Sequence, residues 1–170
     1  MPASIPRYLA ETAQRLPDKI AVVSKDRSIT FGELHAEALS GAECLREIGL
    51  LTGDRIGICM DKTVDQILAI LAVLYANGVV VPILPRLKSP NIRHIIENSG
   101  MSAMITDAER LDEVAEFEHL TRLITGHGFG MQFTKRDGPL PRDHGHLVRQ
   151  ALGGFGEVSG NGSRHRELPF

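Results

Sequence analysis

Residues 66–85, QILAILAVLYANGVVVPILP, constrain the fold more than any other part of this chain. From Ile67 to Leu84 there is no charged residue, and that length is close to the ~18–20 residues of a membrane-spanning helix. Three features exclude a continuous helix. Asn77-Gly78 is a helix stop, because Gly readily takes the left-handed conformation after the last turn. Val79-Val80-Val81 is β-branched and favours a pleated strand. Pro82 has no N–H to donate inside a helix. Upstream, Thr63 and Gln66 have the Thr-x-x-Gln spacing of a capping box. The stretch therefore predicts a helix over 64–76, a tight stop and a strand over 79–83. Ile67, Leu68, Leu71 and Tyr75 form one apolar stripe, and Ile70, Val73 and Leu74 cover the opposite face. A helix apolar nearly all round belongs between the layers of a protein core.

The same grammar recurs along the chain. Ser4 precedes a short helix with Leu9, Ala13 and Leu16 inward, ended by Pro17-Asp18. Residues 20–23 and 28–30 bracket Lys25-Asp26-Arg27 as a hairpin with a polar turn. Thr30 and Glu33 form a second capping box, which opens a helix with Leu34, Ala38, Ala42 and Leu45 on one face and a stop at Gly49. Residues 55–60 (RIGICM) form a short apolar strand. Ser89-Pro90 reads as an N-cap followed by proline at the first helical position, and the helix it starts carries Ile92, Ile95 and Ile96 to Asn98-Ser99-Gly100. Residues 102–106 (SAMIT) form a strand, 108–118 a polar helix, and 120–125 a last strand. Strands alternating with helices of this length specify an α/β fold: a layered, open, mainly parallel sheet built of βαβ units.

The character changes after residue 125. Ten of the seventeen glycines and four of the seven histidines lie in 126–170, and the charge moves from −4 over 1–125 to +2 over the remainder. Apolar periodicity is lost, with a short helix over 147–152 at most. We therefore expect an α/β domain over 1–125 and a Gly/His-rich, irregular, mobile tail over 126–170, which offers too little apolar surface to offset its ordering entropy. The overall charge of −2 gives no general drive toward nucleic acid or anionic lipid. The start, MPASIPRYLAET, has no basic n-region or apolar h-region of a signal peptide. Cys44 and Cys59 lack CxxC spacing, and read as reduced, buried thiols of a cytoplasmic protein.

The order of these pieces resembles the opening of the adenylate-forming superfamily, which includes acyl-CoA synthetases and peptide-synthetase adenylation domains. Four segments carry the likeness: PDKIAVV (17–23), ITFGELHAEALSGAECLREIGL (29–50), GDRIGICMDKTVDQILAILAVLYANGVVVPI (53–83) and PRLKSPNIRHIIENSGMSAMIT (85–106). Residues 30–34 (TFGEL) are similar to the family's first recurring motif and residues 74–83 (LYANGVVVPI) to its second. Physically these residues cap helices, end helices and make turns. None is a nucleophile, an acid–base group or a phosphate ligand, so the likeness is to the family's scaffold.

The resemblance implies attack of a carboxylate on the α-phosphate of ATP, releasing pyrophosphate and forming an acyl-adenylate. Transfer to the thiol of CoA or of a carrier protein follows, and the overall look favours an acyl-CoA synthetase. It also implies ATP and Mg²⁺ for the whole enzyme, held by a Ser/Thr/Gly-rich loop ending in Lys, an Mg²⁺-binding carboxylate, a ribose-binding Asp and a second Lys on a mobile C-terminal domain. All of these lie beyond the matched stretch. The nearest candidate phosphate loop is Ser159, Gly160, Gly162 and Arg166, with Arg166 where Lys is expected. It is degenerate: the threonines are absent, Ser163 replaces a required Gly, and Glu167 puts negative charge beside the phosphates. We expect no catalytic residue, metal ligand or cofactor held by this chain alone.

Two further constellations carry less. His144-Gly145-His146, with His127 and His165, has no carboxylate fixed behind it to orient the imidazoles for zinc. Lys135, Arg136, Arg142, Arg149, Arg164 and Arg166 have no groove-reading element beside them. His94 reads as a partly buried helix residue. Two function classes remain. One is the N-terminal fragment of an ATP-dependent acyl-activating ligase, either one piece of a split enzyme or a truncated product. The other is a non-catalytic interaction or oligomerisation module, whose unpaired strand edge and uncovered apolar face invite a partner or a second copy.

Overall fold

A computed structural model describes residues 4–25, 27–127 and 132–135. Helix α1 (Ile5–Arg15) is capped by Ser4, whose hydroxyl accepts from the Arg7 N–H. It buries Leu9 and Ala13, whereas Leu16, expected inside, is 37% exposed at the C-cap. Strands β1 (Ile20–Val23) and β2 (Ser28–Thr30) pair antiparallel as a two-stranded sheet of their own. Thr30 ends β2 and caps α2 (Phe31–Glu47). Its hydroxyl accepts from the Glu33 N–H at 3.2 Å, and the Glu33 carboxylate accepts from the Thr30 N–H at 2.9 Å. The expected face of Leu34, Ala38, Ala42 and Leu45 is buried.

The main sheet has the order β4-β3-β5-β6-β7, formed by β4 (Val79–Pro82), β3 (Arg55–Cys59), β5 (Ala103–Thr106), β6 (Arg122–His127) and β7 (Gln132–Lys135). The first four are parallel, and β7 pairs antiparallel with β6. This is the expected open, mainly parallel α/β sheet. Helix α3 (Val64–Tyr75) links β3 to β4, and α4 (Ser89–Ser99) links β4 back across to β5. Right-handed crossovers running in opposite directions put their helices on opposite faces, and the packing agrees. Ile56, Ile58, Ala103, Ile105 and Ile124 cluster with α1, α2 and α3. Cys59, Met104 and Leu123 cluster with Ile92 and Ile96 of α4 and with Val114 and Phe117. The strands thus alternate their side chains between two cores, with helices over both faces.

Helix α3 shows why the apolar stretch does not cross a membrane. None of its residues is exposed, because α2 covers one side and the sheet the other. No helix among the described residues is long and apolar enough to span a bilayer. The stop differs in detail from expectation. Asn77, not Gly78, has the positive φ, 60°. The Asn77 N–H bonds to the Leu74 carbonyl and the Gly78 N–H to the Val73 carbonyl, the two reverse bonds of a Schellman motif. Gly78 is needed for space: a Cβ there would lie 2.9 Å from Val73 Cγ1 and 3.2 Å from the Asp54 carbonyl oxygen.

Four other expectations need correction. Thr63 caps α3 by accepting from the Gln66 N–H, but the Gln66 side chain donates to the Met60 carbonyl, so the capping box is only half formed. The strand end leaves that carbonyl within reach of the Gln66 amide, a donor that Glu lacks. Helix α4 starts at Ser89, with Lys88 at the cap position and no side-chain cap. The expected helix over 108–118 is a 3₁₀ turn (Ala108–Arg110), one helical turn α5 (Leu111–Val114) and a second 3₁₀ turn (Ala115–Phe117). Only Val114 and Phe117 of that segment are buried, too little apolar face to hold a longer helix against the sheet. Finally, β6 runs on to His127 and β7 adds a fifth strand, where loss of periodicity predicted no strand. The tail expected to be mobile and the short helix over 147–152 lie outside the described residues.

Candidate functional site

In open parallel sheets, ligands sit outside the carboxyl ends of the strands where the strand order reverses. Here that point lies between β3 and β5, the strands from which the chain proceeds in opposite directions. Cys59 ends β3 and Thr106 ends β5, and the fully buried Thr106 hydroxyl donates to the Cys59 carbonyl at 3.0 Å. Just outside, Asp107 caps the following 3₁₀ turn by accepting from the Arg110 N–H at 3.0 Å. The turn aims Arg110 back over the crevice. Its guanidinium lies 3.0 Å from Asp61, 2.9 Å from Glu113 and 3.8 Å from Asp107.

This arrangement sets one largely buried cation beside three carboxylates at the crevice, of which Asp61 and Glu113 are 64% and 65% exposed. Burial works against the charge of Arg110, and the carboxylates of Asp107, Asp61 and Glu113 outweigh it and raise its pKa. Burial pushes the Cys59 thiol up to about 11, with the nearby Arg110 pulling only weakly the other way. A thiol in that state is inert as a nucleophile at neutral pH. A triphosphate at this point would face three carboxylates, with Arg110 already paired to Asp61 and Glu113. The residues present do not fit the phosphates of ATP here. Among the described residues, no group of three His, Cys, Asp or Glu side chains is placed to hold a metal ion.

The other polar clusters join elements of the scaffold. The Arg27 guanidinium donates to both carboxylate oxygens of Glu37 at 2.9 and 3.1 Å and approaches Asp65 at 3.9 Å, tying the hairpin to α2 and α3. The Tyr75 hydroxyl donates to the Pro6 carbonyl at 2.9 Å and lies 2.7 Å from His35 Nδ1, so α1, α2 and α3 meet at one phenol. With the phenolic proton on Pro6, His35 is the donor of the second bond. Arg46 donates to the Tyr75 carbonyl and Arg122 to the Ile48 carbonyl, so two arginines serve the ends of α3 and α2.

Of the residues singled out from sequence, Ser159, Gly160, Gly162 and Arg166 lie outside the described residues, as do His144, His146 and His165. His127 is the last residue of β6. His94 is exposed on α4 rather than partly buried. Cys59 is buried and Cys44 half-buried, and neither is in a disulfide. Pattern reasoning missed Arg110, Tyr75 with His35, and Arg122. Asp107-x-x-Arg110 was a visible capping signal, and Arg122 a charge next to an apolar strand, but their partners lie 49 and 74 residues away.

Comparison with known proteins decides the family. The family model described as AMP-binding enzyme matches residues 9–138, more than half of the chain. This chain belongs to the AMP-binding enzyme family. Among curated relatives it is 34% identical over 111 residues to bacitracin synthase 1 of Bacillus licheniformis, covering 65% of this chain and 2% of that protein. It is 34% identical over 103 residues to tyrocidine synthase 1 of Brevibacillus parabrevis, covering 61% of this chain and 10% of that one. Among solved structures, the Bacillus subtilis o-succinylbenzoate CoA synthetase MenE superposes with a TM-score of 0.67 at 28% identity, over 71% of this chain and 24% of that one. The N-terminal subdomain of Klebsiella oxytoca NpsA, solved with anthranilyl-AMSN, gives 0.60 at 26% identity, over 62% and 28%. This chain thus has the fold of the N-terminal part of adenylate-forming enzymes, and it spans a small share of the length of each of these relatives.

Proposed function

We propose that this chain is the N-terminal layer of an ATP-dependent acyl-activating ligase of the cytoplasm, supplying framework and not, by itself, chemistry. The whole enzyme would join a carboxylate to the α-phosphate of ATP with loss of pyrophosphate, then pass the acyl group to a thiol with loss of AMP. ATP and Mg²⁺ belong to that whole enzyme. The observation that carries this reading is the Arg110 cluster. The one place where a sheet of this topology ordinarily holds a ligand is occupied by the protein's own Arg110, Asp61, Asp107 and Glu113. Arg27, His35, Arg46, Tyr75 and Arg122 bond helices, hairpin and sheet to one another.

The thiol is that of CoA or of a carrier protein. Support for both comes from the relatives: MenE is a CoA synthetase, and an artificially fused adenylation–PCP di-domain of NpsA with ThdA is also similar, with a TM-score of 0.59 at 26% identity. The boundary expected at 125 falls inside β6 (Arg122–His127), so as domains we propose the α/β layer through β7 (Gln132–Lys135) and a separate tail after it, the latter including Ser159–Arg166, which we assign no phosphate-binding role. A chimera tests the scaffold reading. Residues 9–125 replace the matching segment of tyrocidine synthase 1, and carboxylate-dependent ATP–pyrophosphate exchange is measured. Retained exchange is expected; a folded chimera without exchange contradicts it.

A second reading, a non-catalytic interaction module, draws on exposed apolar side chains: Val23 is 72% exposed, Leu51 69% and Leu84 66%. Both readings require a partner surface, whether the rest of a split ligase or a second copy. They part on exchange, which only the first predicts for the chimera.

A further inference from the structure

One edge of the main sheet is β4, which among the described residues pairs with β3 alone. Such an edge presents unpaired N–H and C=O groups to any extended chain. Which groups face outward follows from the ladder. The Val79 N–H bonds to the Asp54 carbonyl at 2.8 Å and the Ile83 N–H to the Ile58 carbonyl at 3.0 Å. Alternation along a strand puts Val81 with them, facing β3, and turns the backbone groups of Val80 and Pro82 outward. Pro82 has no N–H. The open edge of β4 therefore offers a single donor, from Val80. An incoming strand needs donors at every second residue to build a continuous ladder, so it would find its own carbonyl opposite Pro82 without a partner.

Pro82 is compatible with β4 only because β4 is an edge. At an inward-facing position the same proline would delete a bond to β3. The flanking surface is apolar, with Val79 48% and Leu84 66% exposed, so the desolvation that drives strand addition is present while the donor pattern is not. We propose that Pro82 closes this edge to strand addition, and specifically to edge-to-edge pairing with a second copy of this chain. A partner covering the region must then pack through side chains over Val79 and Leu84 instead of extending the sheet. On this proposal the association that the edge and the apolar face were expected to invite would run through side chains and not through the backbone ladder.

Two measurements on the full chain test the proposal. In the wild type, hydrogen exchange resolved by residue should show the Val80 amide exchanging fast while Val79, Val81 and Ile83 are protected. In Pro82→Val, which restores an outward donor, light scattering over a concentration series should show growth toward a dimer or larger species, with the Val80 amide gaining protection as mass rises. Protection of Val80 in the wild type overturns the proposal, as does a folded Pro82→Val chain whose mass stays at the wild-type value throughout. If the variant does not fold, the wild-type exchange pattern still decides.

Discussion

The Tyr75 hydroxyl donates a 2.9 Å hydrogen bond to the carbonyl of Pro6, 69 residues earlier in the chain. That bond joins the last residue of α3 to the first turn of α1, and the 2.7 Å contact of the same oxygen with His35 brings in α2. Tyr75→Phe keeps the ring and removes both bonds, leaving the Pro6 carbonyl with its intrahelical bond alone and His35 Nδ1 without the phenol. Urea unfolding should show a loss of about 1–2 kcal/mol, the usual cost of deserting a partly buried polar group. Amides of α1 should exchange faster than those of α3, because only α1 loses its anchor.

The start of α2 gives a pH-dependent prediction. Bonds from the Thr30 backbone N–H and then its hydroxyl hold the Glu33 carboxyl below its ordinary pKa. A depressed folded pKa means that the ionised form contributes stability above the unfolded value of about 4.3 and that this contribution fades as pH falls through the folded value. The stability gap between wild type and Glu33→Ala should be constant near neutrality and close progressively below about pH 4.5. Thr30→Ala should cost about 1 kcal/mol, the value of a lost N-cap.

Gly78 is set by space. Gly78→Ala drives a Cβ against Val73 Cγ1 and two carbonyl oxygens and should destabilise by about 1–3 kcal/mol, as overpacking does. Asn77→Gly should be neutral or slightly stabilising, because Gly meets the positive φ at no steric cost. Thermal melts of the two variants should move in this order.

Cys59 gives the opposite pH sign. Its thiol is raised to about 11 by burial, whereas an unfolded thiol ionises near about 8.5. An acid with a raised folded pKa binds more protons in the native state, so wild-type stability should fall between those two values as pH rises. Cys59→Ala should remove that slope. A thiol reagent at pH 8 should label Cys44 faster than Cys59, and Cys59 only on unfolding.

The parts of this fold that are legible in the sequence are those set by neighbouring residues. The Thr30–Glu33 box, the helix stop at Asn77-Gly78 and the apolar faces of α2 and α3 depend on spacings of three or four residues, and period gives them directly. The broken segment after β5 escapes such reading because charged residues at helical spacing look like a helix even when only Val114 and Phe117 are buried. Strand β7 escapes it because an edge strand carries little apolar alternation, and residues 132–135 (QFTK) have almost none. The Arg110 cluster is out of reach for a different reason. Asp107 and Glu113 lie three residues either side of Arg110, but Asp61 joins them only once β3 and β5 lie side by side, and that adjacency is a property of the crossover.

The most direct test of the whole account is a calorimetric titration of the 170-residue chain with ATP and Mg²⁺. With the mouth of the sheet's crevice lined by Arg110 and its three carboxylates, and the Ser159–Arg166 stretch assigned no phosphates, no saturable heat is expected. Saturable binding that disappears when Arg166 is replaced by Ala would contradict it.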